Sequence, residues 1–255
     1  MPRAAQCVWV TRPQPDAGPL CRLIEDDGWH TLCVPLIEIA PAADLAAVRA
    51  ALQPPADVVI FISRNAVRSA LMADPDAATR WQTACVVAIG DGTRDELRGA
   101  GLAPVCAARA GSEAVLELPE LAPPRIAGRR VLIVRGPPGR QLLGTALTGR
   151  GAQVRHATVY LRRAVRPRSG DPAGLWKMQR PDVIVVTSNE GLENLYAMFD
   201  PGLHRALHDT PLAVISERVA QRARAFGHRG RITVAPAAGD HGLLDAVRHA
   251  AGVAP

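Results

Sequence analysis

The chain repeats itself, and this constrains its fold more than any single motif does. Asp57-Val58-Val59-Ile60-Phe61-Ile62-Ser63-Arg64-Asn65 recurs 125 positions later as Asp182-Val183-Ile184-Val185-Val186-Thr187-Ser188-Asn189-Glu190. Val87-Ala88-Ile89-Gly90-Asp91-Gly92-Thr93 recurs at the same offset as Leu212-Ala213-Val214-Ile215-Ser216-Glu217-Arg218. Thr11-Arg12-Pro13 matches Val134-Arg135-Gly136, and Gly28 matches Gly151, both 123 positions apart. Short continuous apolar runs are strands of the kind buried in parallel sheets, and the Ser and Asn that follow them are preferred helix N-caps. The expected fold is therefore α/β, with two similar units of alternating strands and helices and mainly parallel sheets. The repeat alone fits two consecutive halves or an interleaved chain equally well.

Parallel strands joined by right-handed crossovers all end at one edge of the sheet, where ligands bind and helix N-termini favour anions. The residues at those ends are Thr11-Arg12, Ser63-Arg64-Asn65, Asp91-Gly92-Thr93, Arg135-Gly136, Thr187-Ser188-Asn189 and Ser216-Glu217-Arg218. Each hydroxyl or amide taken singly is explained by helix capping, but polar ends in two matching sets point to a binding site. Arg129 to Arg163 is the richest stretch. It reads as a strand (Val131–Val134), a turn carrying Arg135 and Arg140, a helix with Leu142, Leu143, Ala146 and Leu147, a stop at Gly151, and a strand from Gln153 to Tyr160. Arginines at a strand end, with a phenol a short strand away, suit a small polyanion; an ordinary βαβ unit with solvated arginines is the plain alternative. Further helices are expected from about Pro15 to Asp26 and behind caps at Ser112 and Asp240.

With 255 residues and 48% hydrophobic composition, the chain can bury a sizeable core in one or two domains. No apolar run approaches the roughly 20 residues needed to span a bilayer. The segment Met1 to Gln6 lacks the apolar core of a signal peptide, so no membrane partner and a cytoplasmic location are expected. The five cysteines form no Cys-x-x-Cys pair and read as buried thiols. His204 and His208 stand four apart without an acidic or cysteine partner, so no metal is expected. The net charge of +6 raises nucleic-acid binding, but Lys177 is the only lysine, aromatic content is 4%, and no basic run forms an arm, so no nucleic-acid partner is expected. Scattered arginines suit an anionic small molecule, because a guanidinium grips a carboxylate through two hydrogen bonds. No catalytic triad, phosphate-binding Gly-Lys loop or dinucleotide fingerprint is present, and Gly90-Asp91-Gly92 reads as a turn.

Thr11-Arg12-Pro13, Ser63-Arg64-Asn65-Ala66-Val67, Ala88 to Thr93, Val131 to Gly136 with Arg140, Thr158-Val159-Tyr160, Thr187-Ser188-Asn189-Glu190 and Ser216-Glu217-Arg218-Val219-Ala220 together resemble the uroporphyrinogen-III synthase family, from Val8 to about Val247. The resemblance implies two flavodoxin-like domains joined by a two-stranded linker, with the active site in the interdomain cleft. The outer domain would comprise 1–35 and 166–255, the middle domain 42–156, and the linker strands 36–41 and 157–165. It implies a cofactor-independent lyase that closes the linear tetrapyrrole hydroxymethylbilane with inversion of its last ring and loss of water; a monomer is expected. That substrate carries eight carboxylates, which suit as contacts the strand-end residues Thr11, Arg12, Ser63, Arg64, Asn65, Thr93, Arg135, Gly136, Thr187, Ser188, Asn189, Ser216 and Arg218 together with Arg140; Thr93 matches a family threonine at the cleft, and Arg140 falls in a loop where the family often has a basic residue. Tyr160 stands where the family has the tyrosine held to help the hydroxyl depart; a phenol keeps its proton at neutral pH and can donate it. Two departures are visible: Ile62 replaces a family threonine, and Arg218 with Val219 stands at the counterpart of Thr93. A non-catalytic tetrapyrrole-binding module of the same fold is the alternative.

Overall fold

The computed structural model describes residues 6–109, 111–137, 141–165, 172–199 and 201–253. From the N-terminus come β1 (Cys7–Val10), α1 (Ala17–Asp26), β2 (His30–Cys33) and β3 (Ile37–Pro41). Next are α2 (Leu45–Leu52), β4 (Val58–Phe61), α3 (Arg64–Ala73), α4 (Ala77–Trp81), β5 (Cys85–Ala88), α5 (Asp91–Gly99) and β6 (Val105–Cys106). The chain continues through α6 (Ser112–Leu116), α7 (Pro123–Ile126), β7 (Arg130–Arg135), α8 (Leu142–Gly149), β8 (Gln153–Thr158) and β9 (Tyr160–Ala164). It closes with α9 (Pro172–Met178), β10 (Val183–Val186), α10 (Asn189–Met198), α11 (Pro201–Asp209), β11 (Leu212–Val214), α12 (Glu217–Ala225), β12 (Ile232–Val234) and α13 (Asp240–Ala250).

The chain separates into two compact units, one of Met1–Glu38 with Arg163–Pro255 and one of Ile39–Arg162. The first holds a parallel sheet in the order β12-β11-β10-β1-β2, the second a parallel sheet in the order β6-β5-β4-β7-β8. These are the same sheet under the sequence repeat, with β4 equivalent to β10, β5 to β11, and β7 to β1. The registers agree residue for residue: Val58 pairs with Val131, and their counterparts Val183 and Val8 pair with each other. The first unit therefore has the flavodoxin order 2-1-3-4-5 in its own chain sequence, and the second has the same arrangement permuted to 3-2-1-4-5. The chain reverses direction across the sheet between β1 and β10 in one unit and between β4 and β7 in the other. β3 and β9 form a separate two-stranded sheet.

β1, β4 and β10 are buried at every position, as continuous apolar runs of β-branched residues require when helices cover both faces. Around β1, Trp9 makes an edge contact with Trp176 at 5.6 Å between ring centres and stacks on Phe199 at 6.2 Å, and its indole N–H donates to the Gln179 carbonyl. In the other unit Phe61 of β4 meets Trp81 edge-on at 5.2 Å. α1, α8, α5 and α12 are each followed by a glycine with positive φ, at Gly28, Gly151, Gly101 and Gly227. That backbone region penalises a Cβ, which is why glycine closes the helix in every copy.

Several local expectations are corrected. Helix α1 begins at Ala17 with Asp16 in the N-cap position, so Pro15 lies outside the helix. Gly90-Asp91-Gly92 is the start of α5, not a turn. Gly111 and Gly239 occupy the N-cap positions of α6 and α13, so Ser112 and Asp240 are first-turn residues. The strand expected to run through Tyr160 stops at Thr158, and Tyr160 opens β9. Cys7 and Cys21 are buried, and burial pushes the Cys7 thiol up to about 11, but Cys33 is exposed, because the edge strand β2 has one open face.

Between α10, α11 and the loop before β12, Tyr196 Oη and His228 Nδ1 share a hydrogen bond of 2.8 Å, with His208 stacked on Tyr196. Burial, followed by repulsion from His208, holds the His228 ring down to about 4. The native ring stays neutral while the unfolded ring takes a proton near pH 6.5. The unfolded state therefore binds more protons between these values, and stability is lost as the pH falls from about 6.5 to about 4, by roughly 3 kcal/mol. Thermal melts across that window should show the melting temperature falling for the wild type and a shallower slope for His228→Gln; equal slopes would refute this account.

Candidate active site

The carboxyl edge of the second sheet is built strand by strand. β4 continues its ladder for one residue, Ile62 N–H donating to the Val134 carbonyl at 3.3 Å, and then Ser63 turns out in an extended conformation. Ser63 Oγ accepts the Ala66 N–H at 3.0 Å and caps α3, a contact that contributes about 1 kcal/mol. One strand over, Thr93 is buried in the first turn of α5, and the Arg64 side chain lies over Gly92, where a Cβ would come within 3.3 Å of Nε. A groove of about 620 Å³ runs from Arg64 and Gly92 past Asp95 and Glu96. Both carboxylates in its wall are paired, Glu96 with Arg68 at 2.6 Å and Asp95 with Arg94 at 3.2 Å.

On the other side of β4, β7 delivers Arg135 and Gly136. β8 pairs with β7 to the last residue, Arg135 opposite Thr158, and Val159 N–H still donates to the Arg135 carbonyl at 2.8 Å. Tyr160 is therefore set down beside Gly136. A Cβ on Gly136 would sit 2.3 Å from Tyr160 Cζ and 2.7 Å from its oxygen, so the ring occupies the space of the missing side chain. Tyr160 is 1% exposed, and its oxygen lies 3.2 Å from Ser63 Oγ. Arg135 is 6% exposed; its Nη2 reaches the Pro137 carbonyl at 3.4 Å, and its Nε is buried without a hydrogen-bond partner. Ser63, Gly136 and Tyr160 thus converge where the chain reverses across its sheet, with Arg135 one residue before Gly136 and Arg64 and Asn65 on the first turn of α3. Arg140 lies outside the described residues.

The first unit carries the matching edge. Thr11 is buried, and its hydroxyl donates to the Val185 carbonyl at 2.7 Å, tying β1 to β10. Ser188 caps α10 by accepting the Gly191 N–H at 3.0 Å, and beside it Asn189 Oδ1 is buried without a hydrogen-bond partner. Thr187, one residue beyond β10, is half-buried. Ser216 and Arg218 come one strand further out. Ser216 occupies the N-cap position of α12 without a side-chain capping bond, and Arg218 is exposed on that helix. Arg12, expected to meet substrate, already pairs with Asp240 at 2.5 Å. That pairing is not legible in the sequence, where Asp240 looks like a helix cap and stands 228 positions away. The Ser63–Tyr160 contact is equally hidden, since nothing local ties residues 97 apart.

The family model described as uroporphyrinogen-III synthase HemD matches residues 19–245 of the chain. The uroporphyrinogen-III synthase of Escherichia coli K12 is 34% identical over 251 residues, covering 94% of this chain and 99% of that protein. The Salmonella typhimurium LT2 protein of the same name is 34% identical over 248 residues, with the same coverage of both chains. Among solved structures, a mutant uroporphyrinogen III synthase from the extreme thermophile Thermus thermophilus shares the fold with a TM-score of 0.62 at 19% identity, covering 96% of this chain and 98% of its own. The uroporphyrinogen-III synthetase of Helicobacter pylori 26695 also has a TM-score of 0.62, at 18% identity and 96% and 99% coverage.

The contact between Gly136 and Tyr160 has a measurable consequence. Gly136→Ala should destabilise the protein by about 1–3 kcal/mol through overpacking, read as a lower denaturant midpoint. In a Tyr160→Ala background the same substitution should cost much less. Equal costs in both backgrounds would mean that the two residues do not compete for space.

Proposed function

We propose that Tyr160 is the acid of the reaction and the strand ends around it are the substrate contacts, from the premise that the chain belongs to the uroporphyrinogen-III synthase family. It cyclises hydroxymethylbilane in tetrapyrrole biosynthesis, inverting the last pyrrole ring and losing water. The same substrate closes unaided to the uninverted isomer, so the protein's task is largely one of geometry. It must fold the bilane so that the bridging carbon meets the substituted position of the last ring, and orientation of that kind contributes several kcal/mol, up to roughly 7–11.

The observation that supports the acid role is the placement of a phenol at the reversal point of the second sheet, 3.2 Å from Ser63 Oγ and against Gly136. A phenol there gives its proton to the departing hydroxyl, which leaves as water. Because Tyr160 is 1% exposed, the substrate reaches it only after its cover has moved, a conformational step before chemistry. Arg135 offers its unpartnered Nε to a substrate carboxylate, and Asn189 Oδ1, an acceptor, suits a pyrrole N–H instead. Arg12 meets a carboxylate only by sharing or giving up Asp240. The remaining strand-end residues, Thr11, Arg64, Asn65, Thr93, Gly136, Thr187, Ser188, Ser216, Arg218 and Arg140, complete the same reading as backbone or side-chain contacts.

No described helix is long and apolar enough to cross a membrane. The proposed setting is the cytoplasm, with the chain acting as a monomer on a small molecule and without nucleic acid, in keeping with its dispersed arginines and sparse aromatics.

Fresh hydroxymethylbilane supplied to the wild type should yield uroporphyrinogen III in excess over isomer I, resolved by chromatography after oxidation. Tyr160→Phe should lower the rate of isomer III formation by about 10²-fold or more. Isomer I alone from the wild type would instead make the chain a non-catalytic binding module, and a wild-type rate in the variant would remove Tyr160 from the chemistry.

A further inference from the structure

We infer that Ser63 is the positioning residue for the Tyr160 phenol, orienting its proton outward and stabilising the phenolate once that proton has gone; this rests on the acid role of Tyr160. A serine hydroxyl has one proton and two acceptor lone pairs. One lone pair of Ser63 takes the Ala66 N–H at 3.0 Å. Either hydroxyl can donate across the 3.2 Å to Tyr160 Oη, and the acid role of Tyr160 selects Ser63 as the donor. With Ser63 as donor, the phenol's own proton points away from Ser63 and is free for the substrate.

The balance of the step follows. As the C–O bond of the hydroxymethyl group breaks, the pyrrole supplies the electron pair, and the Tyr160 proton leaves with the hydroxyl as water. Tyr160 Oη acquires a negative charge, and the Ser63 contact becomes a charge-assisted hydrogen bond, shorter and stronger than before. The Ala66 N–H and the N-terminus of α3, a helix of ten residues, polarise Ser63 in the same sense. The proton released when the last ring regains aromaticity returns to Tyr160. Ser63 has no second proton for a substrate carboxylate, which sets it apart from the binding role expected for it from sequence.

The repeat supplies an internal comparison. Ser188 caps its helix with the same 3.0 Å bond and a similar extended backbone. The residue equivalent to Tyr160, 123 positions earlier, is Ile37. Capping alone therefore needs no phenol, and the Ser63–Tyr160 contact belongs to one copy only.

The test is steady-state kinetics of isomer III formation by Ser63→Ala, Ser63→Asp and Ser63→Thr, with thermal melts, each alone and combined with Tyr160→Phe. Ser63→Ala should lower kcat about ten- to hundredfold, the worth of one hydrogen bond to a charged group, with KM within about twofold. Ser63→Asp keeps an acceptor for the Ala66 N–H but has no proton to donate; it should melt near the wild type and lose as much kcat. Ser63→Thr, with both functions, should regain most of the loss. With Tyr160→Phe, Ser63→Ala should cost nothing further. An additive loss in that background, or an active Ser63→Asp, overturns the inference and leaves the acid role of Tyr160 standing. A wild-type rate for Tyr160→Phe alone removes the acid role, and the inference with it.

Discussion

The in-step parallel pairing of β4, β7 and β8 is the constraint on which the rest of the site depends. Phe61 lies opposite Val134, and Arg135 opposite Thr158, so the three strands run out within two residues of one another. Backbone hydrogen bonds fix this, and a slip of one residue would turn every side chain to the other face of the sheet. Ser63 and Tyr160 each stand two residues beyond the end of their strand, and Gly136 stands one beyond its own. The register alone therefore brings a helix cap, an absent side chain and a phenol to one point.

The same register serves both units, although the chain enters them differently. In the first unit the strand carrying Thr11 comes first in sequence, whereas its equivalent in the second unit, carrying Arg135, comes fourth. Parallel strands tolerate this because each is joined to the next by a helix of its own, and cutting one crossover to open another leaves every pairing intact. What does not survive permutation is the exit. After β8 the second copy leads into Val159 and Tyr160, while after β2 the first leads through Val34, Pro35 and Leu36 into β3. The phenol is a product of this exit, which explains why one repeat carries it and the other does not.

Legibility from sequence divides along the same line. The buried parallel strands announce themselves as apolar runs, because a strand covered on both faces has no polar position to interrupt it, and the repeat supplies their partners across the chain. The helix-closing glycines are legible since only positive φ demands them at those places. The caps of α6 and α13 fall one residue before Ser112 and Asp240, where a glycine in the N-cap position carries no side-chain signal. Gly136 looks, in sequence, like a loop residue suited to ligand approach; that it clears room for Tyr160 depends on a strand arriving from elsewhere in the chain. The Arg12–Asp240 pair depends on the packing of α13 against α1 and β11, which no local pattern encodes.

Two of the unpaired buried polar atoms among the described residues follow a similar logic. Leaving a buried donor or acceptor without a partner costs about 1–3 kcal/mol, a sizeable part of the roughly 5–15 kcal/mol that stabilises a typical domain. Arg135 Nε and Asn189 Oδ1 both carry that cost, and both stand at points where their sheets reverse. A protein selected for stability alone would pair them, as Asp57 pairs with Arg130 at the opposite end of β7 through its side chain and its backbone N–H. On the proposed reading, a substrate rich in carboxylates and pyrrole N–H groups recovers that cost on binding. On that reading, affinity comes from groups that the protein by itself leaves unsatisfied.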